Sequence, residues 1–259
     1  MNYQENSNFS VIMPVHNEAE YLPYSLPSIY HLNPDEIIIL LDKCKDDSRK
    51  IAEKLAKVYG YEGTLRLRNV NENSNGWLNR LAYLHRLGYL LANNDLILDV
   101  DADMKLDTQR IIKGIRLIKG DIKLVTFGFL DYPYTLQCFL RALYSFITPF
   151  KSGGNLHAFS KKAWRECESI ENVKKIFTGQ DAYLRKAISK KYGTKYIQTN
   201  TFHLRPTEGR QFDERRGMGY ALTLKETSTL KMFALSFFML RPYVFSSYLK
   251  MRRLISKKE

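Results

Sequence analysis

Residues 95–103 read Asp-Leu-Ile-Leu-Asp-Val-Asp-Ala-Asp, an apolar run that ends in closely spaced carboxylates. The run is too short for a helix and has the character of a strand buried on both faces. Two comparable runs precede it: FSVIMPV (9–15) leads into His16-Asn17-Glu18, and EIIILL (36–41) leads into Asp42. Between them the apolar spacing turns helical. One such stretch reaches about Ile29; a second is RKIAEKLAKVYG (49–60), with Asp47 and Ser48 placed to cap it and Gly60 to stop it; a third covers 77–92. TLRLRNV (64–70) is a weaker strand. This alternation predicts an α/β fold, a mostly parallel Rossmann-like sheet flanked by helices. Ligands bind such sheets at the carboxyl ends of the strands, so the clusters at 16–18, 42–48 and 101–103 are expected to meet in one crevice.

The second half is less regular. KLVTFGFLDY (123–132) reads as a strand and LQCFLRALYSFI (136–147) as an amphipathic helix. Gly153-Gly154-Asn155 provides backbone that a ligand can approach closely. GQDAYLRKAISKKYG (179–193) is helical, with Gln180 and Asp181 in its first turn, and KYIQTNTF (195–202) is a strand that ends at His203. Arg205, Arg210, Arg215 and Arg216 then crowd a segment holding Gly209, Gly217 and Gly219. The C-terminal stretch KMFALSFFMLRPYVFSSYLKMRRLISKK interleaves aromatic and basic residues, and Arg241-Pro242 interrupts any single helix. It suits a segment lying in a lipid headgroup layer, a helix packed on the core, or a dimer contact. The expected organisation is one main folded unit over 1–224, with halves at about 9–105 and 106–205, followed by an amphipathic basic segment over 225–259.

Bulk composition narrows the classes. The 259 residues are 44% hydrophobic, enough for one sizeable core, and carry a net charge of +13. Such a balance fits phosphorylated small molecules, an anionic membrane face, nucleic acid or a lysine-rich solvated surface, and no nucleic-acid recognition motif accompanies it. Cys44, Cys138 and Cys167 are scattered and odd in number, which argues against a disulfide framework or a zinc site. The N-terminus lacks the apolar core of a signal peptide, and no run approaches the roughly 20 apolar residues of a membrane span. A cytoplasmic protein is expected, either free or peripheral on the membrane's cytoplasmic face.

Asp101 and Asp103, on either side of Ala102, carry the chemistry. Alternate residues of an extended segment point the same way, so the two carboxylates can grip one hard cation. Mg²⁺ and Mn²⁺ prefer such oxygens and share them with substrate phosphates. Asp99 shares their side by alternation but belongs to the strand, and reads as a supporting or buried, paired group.

Four segments, taken in order, resemble inverting glycosyltransferases of family two with the GT-A fold: SVIMPVHNEAEYL, EIIILLDKCKDDS, LILDVDADM, and GGNLHAFSKKAW with TGQDAYLRKA. The likeness spans roughly residues 9–205. It implies transfer of a sugar from a nucleoside-diphosphate sugar, UDP- or GDP-linked, with Mn²⁺ or Mg²⁺ as cofactor. The acceptor it implies is a glycan, a protein or a polyprenyl phosphate, and nucleic acid is not among the partners. By the resemblance, Pro14, His16, Asn17 and Glu18 line the donor pocket, His16 standing where Tyr is frequent. Asp42 meets a nucleobase ring N–H; the Lys43-Cys44-Lys45-Asp46-Asp47 that follows departs from the usual Asp-Gly-Ser-Thr-Asp. Gly76 precedes the third helix, on which Arg80 faces the diphosphate or solvent. Asp101, Ala102 and Asp103 bind the donor, and Asp101 and Asp103 also hold the metal, with His203 either a third ligand or a structural histidine. Gly153, Gly154 and Gln180 lie on the acceptor side, Gln180 replacing the usual Glu. Asp181 is the catalytic carboxylate that takes the acceptor's proton. Arg205 and Arg210 belong to a basic lid over the diphosphate. The Gln-x-x-Arg-Trp of processive relatives is absent. Two rivals remain: a nucleotidyltransferase acting on a sugar phosphate, and a non-catalytic nucleotide-sugar binder. The first usually places a glycine-rich loop after strand one, where this chain has His-Asn-Glu.

Overall fold

A computed structural model describes residues 8–131, 136, 156–176, 179–205, 214, 217–218, 229–238 and 242–256. The expected helix over 136–147 lies outside the described residues except for Leu136, and so does the Gly153-Gly154 pair. In chain order the elements begin with β1 (Phe9–Val15), α1 (Leu22–Tyr30), β2 (Glu36–Asp42), α2 (Ser48–Val58), β3 (Thr64–Val70), α3 (Arg80–Leu91), β4 (Leu96–Asp99), β5 (Met104–Lys105) and α4 (Thr108–Ile115). They continue with β6 (Ile122–Asp131), β7 (His157–Ser160), α5 (Lys161–Cys167), α6 (Ile170–Lys174), α7 (Gln180–Ser189), β8 (Gly193–His203), α8 (Thr229–Phe238) and α9 (Pro242–Ser256).

The eight strands form one sheet in the order β3-β2-β1-β4-β7-β6-β8-β5. The first four run parallel, whereas β7 is antiparallel to both β4 and β6. β6 and β8 are parallel to each other. Two reversals restore the starting direction, so β8 ends at the same edge as β1, β2 and β4. This is why His203, a hundred residues downstream of Asp103, arrives beside it. β5 starts five residues after β4 ends yet pairs with β8. Four strand spacings of about 4.8 Å total about 19 Å, slightly beyond the roughly 18 Å that five extended residues reach, so the sheet must curl.

The strands read as unbroken apolar runs because helices cover both faces. Val11, Met13 and Val15 of β1, with Ile37, Ile39 and Leu41 of β2, share a core with Leu22, Leu26 and Ile29 of α1, Ala52 of α2, and Ile111 and Ile115 of α4. Ile12, Ile38 and Leu40 pack on the other face with Leu84 and Tyr89 of α3, Trp164 of α5, and Leu184 and Ile188 of α7. α2 starts with Asp47 in the cap position, but the Asp47 side chain makes no cap hydrogen bond and pairs with Lys50 at 2.8 Å. Asp46 instead accepts from Ser48 N and Oγ, at 3.1 and 2.6 Å. α8 and α9 pack on each other around Met232, Val244 and Tyr248, with Pro242 opening α9 at the expected break. Among the described residues no helix is long and apolar enough to cross a membrane.

Candidate active site

The crevice is built from the loops after β1, β2 and β4. Asn17 and Lys43 adopt φ values of 55° and 50°, the left-handed turn each chain needs to leave its strand. The two loops are stitched together. His16 Nδ1 lies 2.5 Å from the Asp42 carbonyl, Asn17 Oδ1 accepts from Lys45 N at 2.7 Å, and Asp46 Oδ2 accepts from Ala19 N at 2.9 Å. Pro14 is buried inside β1, so it shapes the exit of the loop and not its surface. Gly76, exposed with φ 78°, turns the loop before α3.

Asp42 is held by Arg80, whose Nε and Nη2 both donate to Oδ1, at 3.1 and 2.6 Å. Arg80 also donates to the carbonyls of Glu72 and Val70. Arg80 is thus engaged at the end of β2, where the sequence left it facing diphosphate or solvent. Both contacts use Oδ1, which leaves Oδ2 able to accept from a ring N–H.

Asp103 is buried and lies 3.3 Å from His203 Nε2 and 3.2 Å from Arg205 Nε. Arg205 also binds the Glu18 carboxylate and stacks over Tyr21, its carbon 5.3 Å from the ring centre. Burial works to raise the Asp103 pKa, but the hydrogen bond and charge of His203, with the charge of Arg205, hold it below the ordinary value. For Glu18 burial wins over Arg205, and its pKa is raised. The Asp101 side chain keeps 28% of its surface open. Desolvation first, then the charges of Asp103 and Asp99, push its carboxyl up to about 7 against the pull of His85 and His203. Ala102 is packed into the core, so only its backbone faces the crevice.

Asp101, Asp103 and the nearby Glu18 make a carboxylate concentration that calls for a cation, and Arg205 now supplies that charge to two of them. No three His, Cys, Asp or Glu side chains among the described residues form a ready cage. Two hard carboxylates with an adjacent imidazole nevertheless fit Mg²⁺ or Mn²⁺, which take few protein ligands and complete their shell with water and substrate phosphates.

Asp181 opens α7 behind Gly179, whose φ of 77° sets the cap, and pairs with Arg185 at 3.1 Å. Its neighbour Gln180 accepts from Asn79 Nδ2 at 3.0 Å, and the Gln180 carbonyl accepts from Arg86 at 3.1 Å. Asn79 caps α3 immediately before Arg80, so one helix start joins the Asp181 turn to Asp42. Arg210, Gly153 and Gly154 lie outside the described residues. Sequence reasoning overlooked the groups behind Asp99: His85 and Tyr89 on α3 and His157 on β7 all touch it. The available signal was a His and a Tyr four residues apart on the face of α3 that also carries Leu84.

Residues 10–135 match the family model for glycosyl transferase family 2. No curated protein sequence matches the chain. Among solved structures, the chain is similar to the mannosyltransferase PcManGT of Pyrobaculum calidifontis, in complex with GDP-Man and Mn²⁺: 14% identity, 97% of this chain and 76% of that one, TM-score 0.65. It is similar to residues 1–349 of TarS from S. aureus at 12% identity, 97% and 92% coverage, and TM-score 0.56. It also resembles glucosyl-3-phosphoglycerate synthase from Mycobacterium tuberculosis, in complex with Mn²⁺, UDP-glucose and phosphoglyceric acid, at 16% identity, 84% and 79% coverage, and TM-score 0.55. At such identities structural likeness speaks for the fold, and the sequence match speaks for the family. The sequence match to glycosyl transferase family 2 thus covers residues 10–135, and the fold of the chain is of the GT-A type.

Proposed function

We propose that this glycosyltransferase moves a hexosyl group from a nucleoside-diphosphate sugar, UDP- or GDP-linked, to an acceptor hydroxyl or a lipid phosphate, with inversion and with a divalent cation. The catalytic unit is residues 1–224. The observation that carries the reading is the gathering of Asp42, Asp101, Asp103 and Glu18 at one sheet edge, with Asp42 tied through Arg80 and Asn79 to the turn that bears Asp181. Metal-bound complexes of two structural neighbours support the cofactor, and their GDP-Man and UDP-glucose support the donor class.

Asp101 and Asp103 would hold the cation, with His203 beside them. A bound Mn²⁺ or Mg²⁺ supplies countercharge for the departing nucleoside diphosphate. Asp42, pinned by Arg80, offers Oδ2 to the nucleobase N–H. Arg205, released from Asp103 when that carboxylate is engaged, is free to turn to the diphosphate while staying near Glu18. On a glycan or protein acceptor, Asp181 takes the hydroxyl proton as the bond to the sugar forms, a role worth about 10²–10⁴ in rate. On a polyprenyl phosphate the nucleophile is already an anion, and Asp181 positions it.

The test is a thermal-shift panel of UDP-, GDP- and dTDP-sugars, with and without Mn²⁺, on wild type, Asp103→Ala and Asp181→Asn. A ligand at about 100 times its Kd stabilises the native state by about 2.7 kcal/mol, which a melt reads easily. One nucleotide class should shift the wild type only with Mn²⁺. Asp103→Ala should lose that shift, and Asp181→Asn should keep it while losing turnover. No shift with any donor, or release of pyrophosphate from a nucleoside triphosphate, would overturn the reading.

A further inference from the structure

Asp99 is the last residue of β4, two residues before Asp101, and has no solvent exposure. An isolated buried carboxylate is costly by several kcal/mol, so a fold keeps one only where partners surround it. Three do. His85 Nδ1 is 2.7 Å from Oδ1, Tyr89 OH bonds Oδ2, and His157 Nε2 lies 3.4 Å from Oδ2. His85 and Tyr89 are one turn apart on α3, and His157 stands opposite Asp99 in the β4–β7 register.

His85 does more than satisfy Asp99. Its side chain is wholly buried, and its second nitrogen, Nε2, has no hydrogen-bond partner among the described residues and faces Asp101 Oδ1 at 3.9 Å. That separation is longer than a hydrogen bond but within the range of a small rotation of the Asp101 carboxylate. One imidazole therefore spans the strand-end carboxylate and the strand carboxylate behind it. Asp99 fixes the ring plane, and the ring plane fixes the direction of Nε2. With a carboxylate on either side, both nitrogens are called on to donate. A carboxylate, a histidine and a metal-binding group in series is the way proteins orient their ligands, and loss of the supporting group typically costs 10–100-fold in metal affinity.

We propose that His85 is the positioning residue of the cation seat: anchored on Asp99, it restrains Asp101 through Nε2 so that the other Asp101 oxygen is presented to the divalent ion. The inference rests on the reading that Asp101 and Asp103 hold a cation. Its rival is a purely structural stitch among α3, β4 and β7.

Two neutral substitutions separate the halves of the role. In His85→Gln the carboxamide nitrogen replaces Nε2 and still faces Asp101. In His85→Asn it replaces Nδ1 and faces only Asp99. Both replace the imidazole by a neutral carboxamide, so their difference reports orientation alone. Mn²⁺ alone is titrated into the full chain, and free Mn²⁺ is read by electron paramagnetic resonance. The expected result is a Kd for His85→Asn 10–100-fold above that of His85→Gln. Values equal within about threefold would overturn the proposal while leaving the cation seat intact. Wild type that binds no Mn²⁺ would sink the cation reading itself and His85's role with it. Should His85→Asn fail to fold, ¹⁵N-histidine spectra of the wild type decide: Mg²⁺ should move the His85 Nε2 resonance and leave exposed His31 in place, and an unmoved His85 overturns the proposal.

Discussion

Glu36 shows how one side chain can be invisible to pattern reading and yet matter to the fold. It opens β2, where an acid at a strand start looks solvent-facing, but it is 2% exposed. Its oxygens accept from Ser10 Oγ at 2.7 Å, Arg66 Nη1 at 2.7 Å, and Asn93 N and Nδ2, both at 2.9 Å. Burial alone would raise its pKa, but the Asn93, Arg66 and Ser10 bonds prevail and the pKa is lowered. A lowered carboxylate pKa means stability that is present above the unfolded value, about 4.3, and is lost as pH falls through the folded one. Arg66 is over a third exposed, so its share is discounted for screening. Glu36→Gln should cost about 1–2 kcal/mol at pH 7. Urea melts should show that gap closing below about pH 4; a gap independent of pH would contradict the assignment. Asp42, Asp101 and Asp103, by contrast, could be picked out as candidates, since they follow apolar runs and in a parallel sheet that position faces ligand. His85 could not, because its spacing from Tyr89 marks a shared helix face but not the Asp99 that lies across from it.

At the scale of elements, α3 carries most of the burden. Asn79 caps it, Arg80 holds Asp42, His85 and Tyr89 reach Asp99, and Arg86 reaches Glu168 on the α5–α6 corner. Such reach requires the helix to lie close on β1 and β2. Gly88 permits it: a Cβ there would overlap Ile12 Cγ2 and touch Leu40 Cδ1. Glycine inside a helix costs about 1 kcal/mol against alanine by propensity, so Gly88→Ala would stabilise an isolated helix. In the folded chain the overlap should win. A net loss of about 1–3 kcal/mol is expected for overpacking a well-packed core. Calorimetry checks the sign: a raised Tm would show that α3 does not need the close approach. The helical pattern over 77–92 announced the helix, but only the contact with Ile12 explains its glycine.

At the scale of the whole molecule, a buried pair ties α3 to the corner between α5 and α6, beyond the continuous sheet that β4 and β7 share. Arg86 binds Glu168 at 3.0 and 2.5 Å, Trp164 Nε1 donates to the same carboxylate, and Arg86 reaches the Gln180 carbonyl. The α8–α9 hairpin is of another character. Its inner face holds Met232, Val244 and Tyr248, while Leu230, Phe233 and Phe237 recur along α8 with exposures of 78%, 48% and 73%. Exposed Lys250 and Arg253 lie on α9. We propose that α8 and α9, within the segment expected over 225–259, rest on an anionic membrane face, apolar residues in the headgroup layer and basic ones on the lipid phosphates. Wild type should co-sediment with phosphatidylglycerol vesicles and release with salt. Leu230→Glu with Phe233→Glu and Phe237→Glu should abolish binding; equal sedimentation of the two forms would end the proposal.

Sequence alone determined the order of strands and helices from β1 to β4, together with β6, α7 and β8, because apolar period and strand length are local properties that survive without knowledge of neighbours; the short elements β5, α4, β7, α5 and α6 carried too little periodic signal to be read. It also marked the strand-end carboxylates, since the direction of a parallel sheet fixes which end meets ligand. Tertiary structure decided the rest. The reversal at β7 and the curl that brings β5 to β8 set His203 and Arg205 against Asp103, across a separation no local pattern encodes. The pairing of Arg80 with Asp42, and of His85 with both Asp99 and Asp101, depends on how closely α3 lies on the sheet. Charge in this site is governed by distance and burial, and both are properties of the packed chain.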